Sequence, residues 1–116
     1  MKMFLGTMVV AAALLGVSAI ALEQGPFTAE QSRAGRALYV ANCAACHGES
    51  AVGGGTVPDL RASSFLGNDF WYEIVLNGAM KDAGMAPFKT VLDKNNATAI
   101  RAYVIQRANE DKTANK

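Results

Sequence analysis

The heptapeptide Asn42-Cys43-Ala44-Ala45-Cys46-His47-Gly48 holds both cysteines and the single histidine of this 116-residue chain. Three chemistries use such a cluster: a redox disulfide, part of a zinc site, or covalent attachment of haem. Zinc asks for about four ligands, or three at a catalytic site, and no second Cys/His cluster supplies the rest. A thioredoxin-like dithiol sits near a βαβ pattern, and the chain shows none. Cys-x-x-Cys-His is the attachment signature of c-type haem, and that reading uses every residue of the motif. Two sulfurs three residues apart on a helical turn reach the two vinyl groups on one porphyrin edge. The imidazole that follows lies under the iron.

A sixth iron ligand can be sought by elimination. With His47 the only histidine, a bis-histidine iron is excluded within one chain. Met1, Met3 and Met8 fall in an apolar leader, which leaves Met80 and Met85. A methionine is ordinarily a flexible filler of apolar gaps. Met85, however, lies between Gly84 and Pro87, in a stretch that cannot continue a helix and suits a rigid strap. Met80 follows close on Gly78 and is expected to pack. Met85 is the preferred ligand.

These residues need elements to hold them. Thr28 and Gln31 read as a capping box, opening a helix that runs to about Ala41. Its expected apolar face is Ala34, Leu38 and Ala41, with Gly35 and Tyr39 alongside. Gly35 costs helix stability, so a close approach by another helix is expected there. Gly48 to Gly67 shows no sustained period, and a loop that long in a small domain usually wraps something. Asn68 or Asp69 caps a short helix through Asn77, with Phe70, Ile74 and Asn77 on one side and Trp71 and Val75 beside it. Lys81 to Lys89 is irregular. Asp93 starts a last helix through about Ala108, with Ile100, Tyr103, Val104 and Arg107 at amphipathic spacing, and the charged tail beyond is expected to fray. The fold class is therefore all-α: three main helices and long loops wrapped around one covalent haem.

Lys2 and the uncharged run from Met3 to Ile20 read as a secretory signal peptide over residues 1–21, with cleavage after Ala21. An uncleaved anchor is the alternative, since the run is nearly long enough to span a bilayer. The domain then covers residues 22–116. The chain has 11 Lys+Arg and 10 Asp+Glu, and only Lys2 lies in the leader, so the remainder is balanced. Such a balance gives no case for nucleic acid or an anionic membrane surface. Export places the protein in the periplasm, where c-type haem is attached.

In its order of motifs, from residue 28 to 108, the sequence resembles a class I c-type cytochrome. Gly35 and Tyr39 are followed by Cys-x-x-Cys-His, a Pro-Asp-Leu loop, a Gly-Met-x-Pro-Phe strap and a C-terminal helix with Tyr103. The stretches "LYVANCAACHGESAVGGGTVPDLR", "VLNGAMKDAGMAPF" and "AIRAYVIQRA" are most similar to the C-terminal cytochrome domain of quinohaemoprotein alcohol dehydrogenases, here as a stand-alone chain. The resemblance implies that Cys43 and Cys46 form thioethers and that His47 and Met85 ligate iron. It further implies that the Pro58 carbonyl accepts the His47 Nδ1 hydrogen, Leu60 packs on the porphyrin, and Arg61 pairs with a haem propionate. Gly35 and Tyr39 would pack against Tyr103 where the first and last helices cross. For Trp71 core packing is expected, with an indole bond to a propionate as the alternative. The implied function is electron transfer, not catalysis: electrons come from a dehydrogenase, quinoprotein or flavoprotein, and pass to a downstream cytochrome or oxidase of the respiratory chain. A haem enzyme or gas-binding protein with an open sixth position is the alternative.

Overall fold

A computed structural model describes residues 27–54 and 57–114. The expected leader, residues 1–21, lies outside them. Among the described residues all regular structure is helical. Helix α1, Ala29–Asn42, opens on the foreseen capping box: Thr28 Oγ1 accepts from Gln31 N at 3.1 Å, and Gln31 Oε1 accepts from Thr28 N at 3.3 Å. Two amides of the first turn, which no helix carbonyl can satisfy, are thereby paired. Helix α2, Ala44–His47, is a single turn that follows directly after Cys43. Helix α3 is Phe70–Val75, opened by Asn68 Oδ1 accepting from Phe70 N at 2.9 Å. Helix α4 is Lys94–Ala114, and Asp93 and Asn96 cap it reciprocally at 2.8 and 2.9 Å.

The fold is held by α1 crossing α4. A Cβ on Gly35 would fall 1.7 Å from the Ala99 carbonyl oxygen, so only glycine fits at the crossing. Beside it the buried Ser32 hydroxyl donates to the Ala102 carbonyl at 3.1 Å. Tyr39 and Tyr103 meet with ring centroids 5.2 Å apart and tilted by 49°, as expected of the crossing. Tyr39, Ile100 and Val104 are the largest wholly buried side chains, each worth about 1.5–3 kcal/mol of apolar burial. Trp71 is buried, and its indole donates to the Ala97 carbonyl at 2.9 Å, tying α3 to α4. That satisfies the core-packing expectation for Trp71 and uses its one donor.

Four expectations are corrected. The buried face of α1 is Ser32, Gly35 and Tyr39, while Ala34 and Ala41 are exposed and Leu38 is half-buried. A serine and a glycine are buried because backbone approaches backbone there, which a hydrophobic pattern does not register. Helix α3 stops at Val75, short of Asn77. The charged tail does not fray after Ala108: α4 continues to Ala114, supported by Gln106 and Arg107 reaching Glu110 and by Asp111 bonding Arg61. The stretch after Gly48 is not wholly irregular, since one-turn 3-10 helices form at Leu60–Ala62 and Ser64–Gly67, each capped by the side chain before it.

Candidate haem site

Cys43 ends α1 and starts α2, and its own amide donates to the Tyr39 carbonyl at 2.7 Å. The His47 amide returns to the Cys43 carbonyl at 2.9 Å, closing the motif into one helical turn. Gly48, with φ of 83°, ends that turn. Both cysteines are free thiols; Cys43 is half-buried against the core and Cys46 is exposed. Burial, and then the neighbouring Cys46, push the Cys43 thiol up from 9.0 to about 11. Burial also lowers the His47 pKa, which favours the neutral imidazole that metals take.

The His47 Nδ1 atom is buried and has no hydrogen-bond partner. An orphaned buried polar atom costs about 1–3 kcal/mol. Here it belongs to an imidazole one residue from a free thiol, in the turn that carries both cysteines. Among the described residues no three His, Cys, Asp or Glu side chains gather as a metal site would. Two free thiols and the adjacent imidazole are the donor set that covalent haem takes.

The expected bond from His47 Nδ1 to the Pro58 carbonyl is not made. Pro58 instead abuts Gly53: a Cβ on Gly53 would fall 2.3 Å from the Val57 oxygen and 3.0 Å from the Pro58 carbonyl. Gly53 has φ of 84° and donates to the His47 carbonyl at 2.9 Å. The Pro58 segment thus runs against the loop after His47, not onto the imidazole. Leu60 is half-buried against the core, and its amide donates to the Ala51 carbonyl at 3.0 Å. Arg61 meets two carboxylates of this chain: Asp59 by a fork at 3.0 and 2.7 Å, and Asp111 at 2.9 Å. Among the described residues these bonds use three of its five N–H donors. Asp59, which sequence reading passed over, also caps the Leu60–Ala62 turn through the Arg61 amide at 2.9 Å. Its signal was legible as an Asp two residues before an Arg in a turn-forming stretch.

Met85 follows a 3-10 turn at Lys81–Ala83 and Gly84, whose φ is 105°. Its amide donates to the Met80 carbonyl at 3.1 Å. Met85 is half-buried and packs against the core, whereas Met80 is 41% exposed. The strap runs back over α3, with Phe88 N donating to Val75 O at 2.9 Å. A cleft of about 580 Å³ lies away from these residues, between the start of α1 and the later turns of α4; Phe27, Arg33, Arg36, Glu49, Ser50 and Arg107 are among its lining.

Residues 30–104 match the family described as cytochrome C oxidase, cbb3-type, subunit III. A quinohemoprotein alcohol dehydrogenase of Pseudomonas putida is 42% identical over 88 residues, which is 74% of this chain and 13% of that protein. The dehydrogenase subunit of an alcohol dehydrogenase (quinone) from Gluconobacter oxydans is 39% identical over 74 residues, 63% of this chain and 10% of that protein. Cytochrome c550 of Pseudomonas aeruginosa is 36% identical over 74 residues, 60% of this chain and 51% of that protein. The chain thus spans about an eighth of the first relative and half of the last. The matched span takes in the Cys-x-x-Cys-His turn, the Met85 strap and the Gly35 crossing, and the chain belongs to this family: it is a class I c-type cytochrome, an electron-transfer protein whose cofactor is covalent haem c.

Proposed function

We propose that residues 22–116 act in the periplasm as a one-electron carrier, with His47 and Met85 as axial ligands and Cys43 and Cys46 as thioether donors. The observation that carries this reading is the single helical turn that brings two free thiols and an imidazole together, with Met85 half-buried on its strap. Bound haem iron supplies a one-electron change between Fe(II) and Fe(III). The chain's own residues do the rest. His47 is held neutral by burial and ready to donate a lone pair. Met85, half-buried on a strap that Gly84 and Pro87 keep out of helix, offers a soft sulfur. Leu60 gives an apolar wall, and Arg61 is assigned to a propionate, beside its bonds to Asp59 and Asp111.

Electron entry and exit are assigned to the edge near Cys46. Ala45 and Cys46 are exposed there, and Val40 and Val52, neighbours of the motif in sequence, are 40% and 44% exposed. A balanced charge and small apolar side chains suit a brief encounter through shape more than long-range steering. The donor class is a dehydrogenase, as the names of the relatives suggest, and the acceptor is a downstream cytochrome or oxidase. The chain serves either as a diffusing carrier or as a cytochrome subunit. Among the described residues no helix is long and apolar enough to cross a membrane.

A visible spectrum of the reduced protein, with and without carbon monoxide, tests the reading. It is expected to stay unchanged on adding the gas, while Met85→Ala binds it and Met80→Ala does not. Rapid binding by the unmutated protein would overturn the Met85 assignment and favour an enzyme or gas-binding protein with an open sixth position.

A further inference from the structure

Directly after His47, three consecutive backbone carbonyls are each met by a side chain from one of the two long helices. Tyr39, on α1, donates its hydroxyl to Gly48 O at 2.6 Å. From α4, Tyr103 donates to Glu49 O at 3.0 Å and Arg107 Nε donates to Ser50 O at 3.2 Å. Tyr39 is wholly buried and Tyr103 is 5% exposed. The helices that carry these donors cross at Gly35, so the loop is gripped by the crossing that holds the fold.

The gripped loop is not a relaxed one. Ala51 is buried with φ of 67°, the only non-glycine in the left-handed region among the described residues. That conformation costs an L-residue about 1–2 kcal/mol and persists where the surroundings over-determine it. Ala51 then hands the hold onward. Its carbonyl accepts from Leu60 N at 3.0 Å, and two residues later Gly53 N donates to the His47 carbonyl at 2.9 Å. The grip therefore reaches His47 and Leu60 through the main chain. Its outer side faces the 580 Å³ cleft, which Glu49, Ser50, Tyr103 and Arg107 all line. Released carbonyls would meet water there.

We propose that Tyr39, Tyr103 and Arg107 are positioning residues for His47: they hold the strained loop 48–53, and through it the His47 main chain, so that the imidazole would stay set for iron and water stay out of the loop. This rests on His47 being an iron ligand, as proposed above. Water admitted near the haem stabilises the extra charge of the ferric form, so loosening the grip lowers the reduction potential.

The test uses the haem-loaded full chain as Tyr103→Phe, Arg107→Gln and the double variant. Tyr72→Phe is the control, since that hydroxyl shares its hydrogen bond with Thr98 Oγ1 at 2.6 Å, away from the loop. Two quantities are read: the potential by spectroelectrochemical titration, and amide exchange at Gly53 and Leu60. Each bond lost from the grip is expected to speed exchange at those amides by roughly tenfold. The potential should fall in both single variants, fall further in the double, and stay put in Tyr72→Phe. If the grip variants melt earlier yet keep wild-type potential and exchange, the three side chains only pack and the proposal is wrong. Arg107→Gln alters a partly exposed residue, so it keeps the test alive if the tyrosine variant fails to fold. An unmutated protein without the spectrum of six-coordinate haem would sink the His47 reading, and this proposal with it; a normal spectrum with unmoved potentials would sink this proposal alone.

Discussion

The loop after His47 and the strap that carries Met85 are built by opposite means. Side chains of α1 and α4 hold the first through three carbonyls, and Ala51 and Gly53 tie it to Leu60 and His47. The strap is held by main chain: Ala79 N to Glu73 O at 2.9 Å, Phe88 N to Val75 O at 2.9 Å, and Lys89 N to Leu76 O at 3.3 Å. Among the described residues no side-chain hydrogen bond or ion pair joins it to the rest, and its anchor is the short helix α3. One side of the site is thus fastened to the core and the other to a single helix end. Local opening follows such differences, so of the two proposed ligands Met85 is expected to let go first, with His47 staying.

The harshest way to break that contrast is at the crossing itself. Gly35→Ala puts a carbon where the Ala99 carbonyl already stands, and prying α1 from α4 should cost about 3 kcal/mol in a urea melt. A wild-type melt would mean that the crossing is not what holds the loop. Next in size is the strained residue. Ala51→Val adds a β-branched side chain in the left-handed region at a fully buried position, with an expected cost of about 2 kcal/mol. Ala51→Gly relieves the strain but loses a buried methyl and adds chain entropy, so its net change should stay within about 0.5 kcal/mol. Equal effects of the two would show that Ala51 is not strained.

Amide exchange in the unmutated protein sharpens the contrast without a mutation. Amides of Met85 and Phe88 should exchange roughly tenfold or more faster than that of Gly53. The reverse order would invert the assignment of the labile side. The smallest effect concerns Arg61. The Arg61 side chain, by its hydrogen bond first, holds the Asp59 carboxyl below the ordinary carboxylate range. A depressed folded pKa makes the unfolded chain bind more protons in acid. The pair's contribution is therefore complete above the ordinary carboxylate range and lost as pH falls through the folded value. Asp59→Asn should lower the melting temperature slightly at neutral pH, and the gap should close in acid; solvent screening keeps it small. A gap independent of pH would show that the Asp59 charge contributes nothing.

What could be read from the chain alone was local. The Cys-x-x-Cys-His spacing closes within one helical turn, and the Thr28 and Gln31 capping box closes within three residues, so neighbours in sequence settle both. Gly35 announced a close approach because nothing else explains a glycine in the middle of a helix. Met85 stood apart from Met80 through its Gly84 and Pro87 neighbours, but the expectation that Met80 packs is corrected, since Met80 is 41% exposed. Tertiary structure decided the rest. Ser32 meets a carbonyl 70 residues away, Tyr103 one 54 away and Arg107 one 57 away. Neither a hydrophobic period nor a motif encodes such pairs, because a backbone carbonyl looks alike at every position until the fold aims a donor at it. The same holds for Ala51, whose left-handed backbone is imposed by the packing around it and by nothing in an alanine.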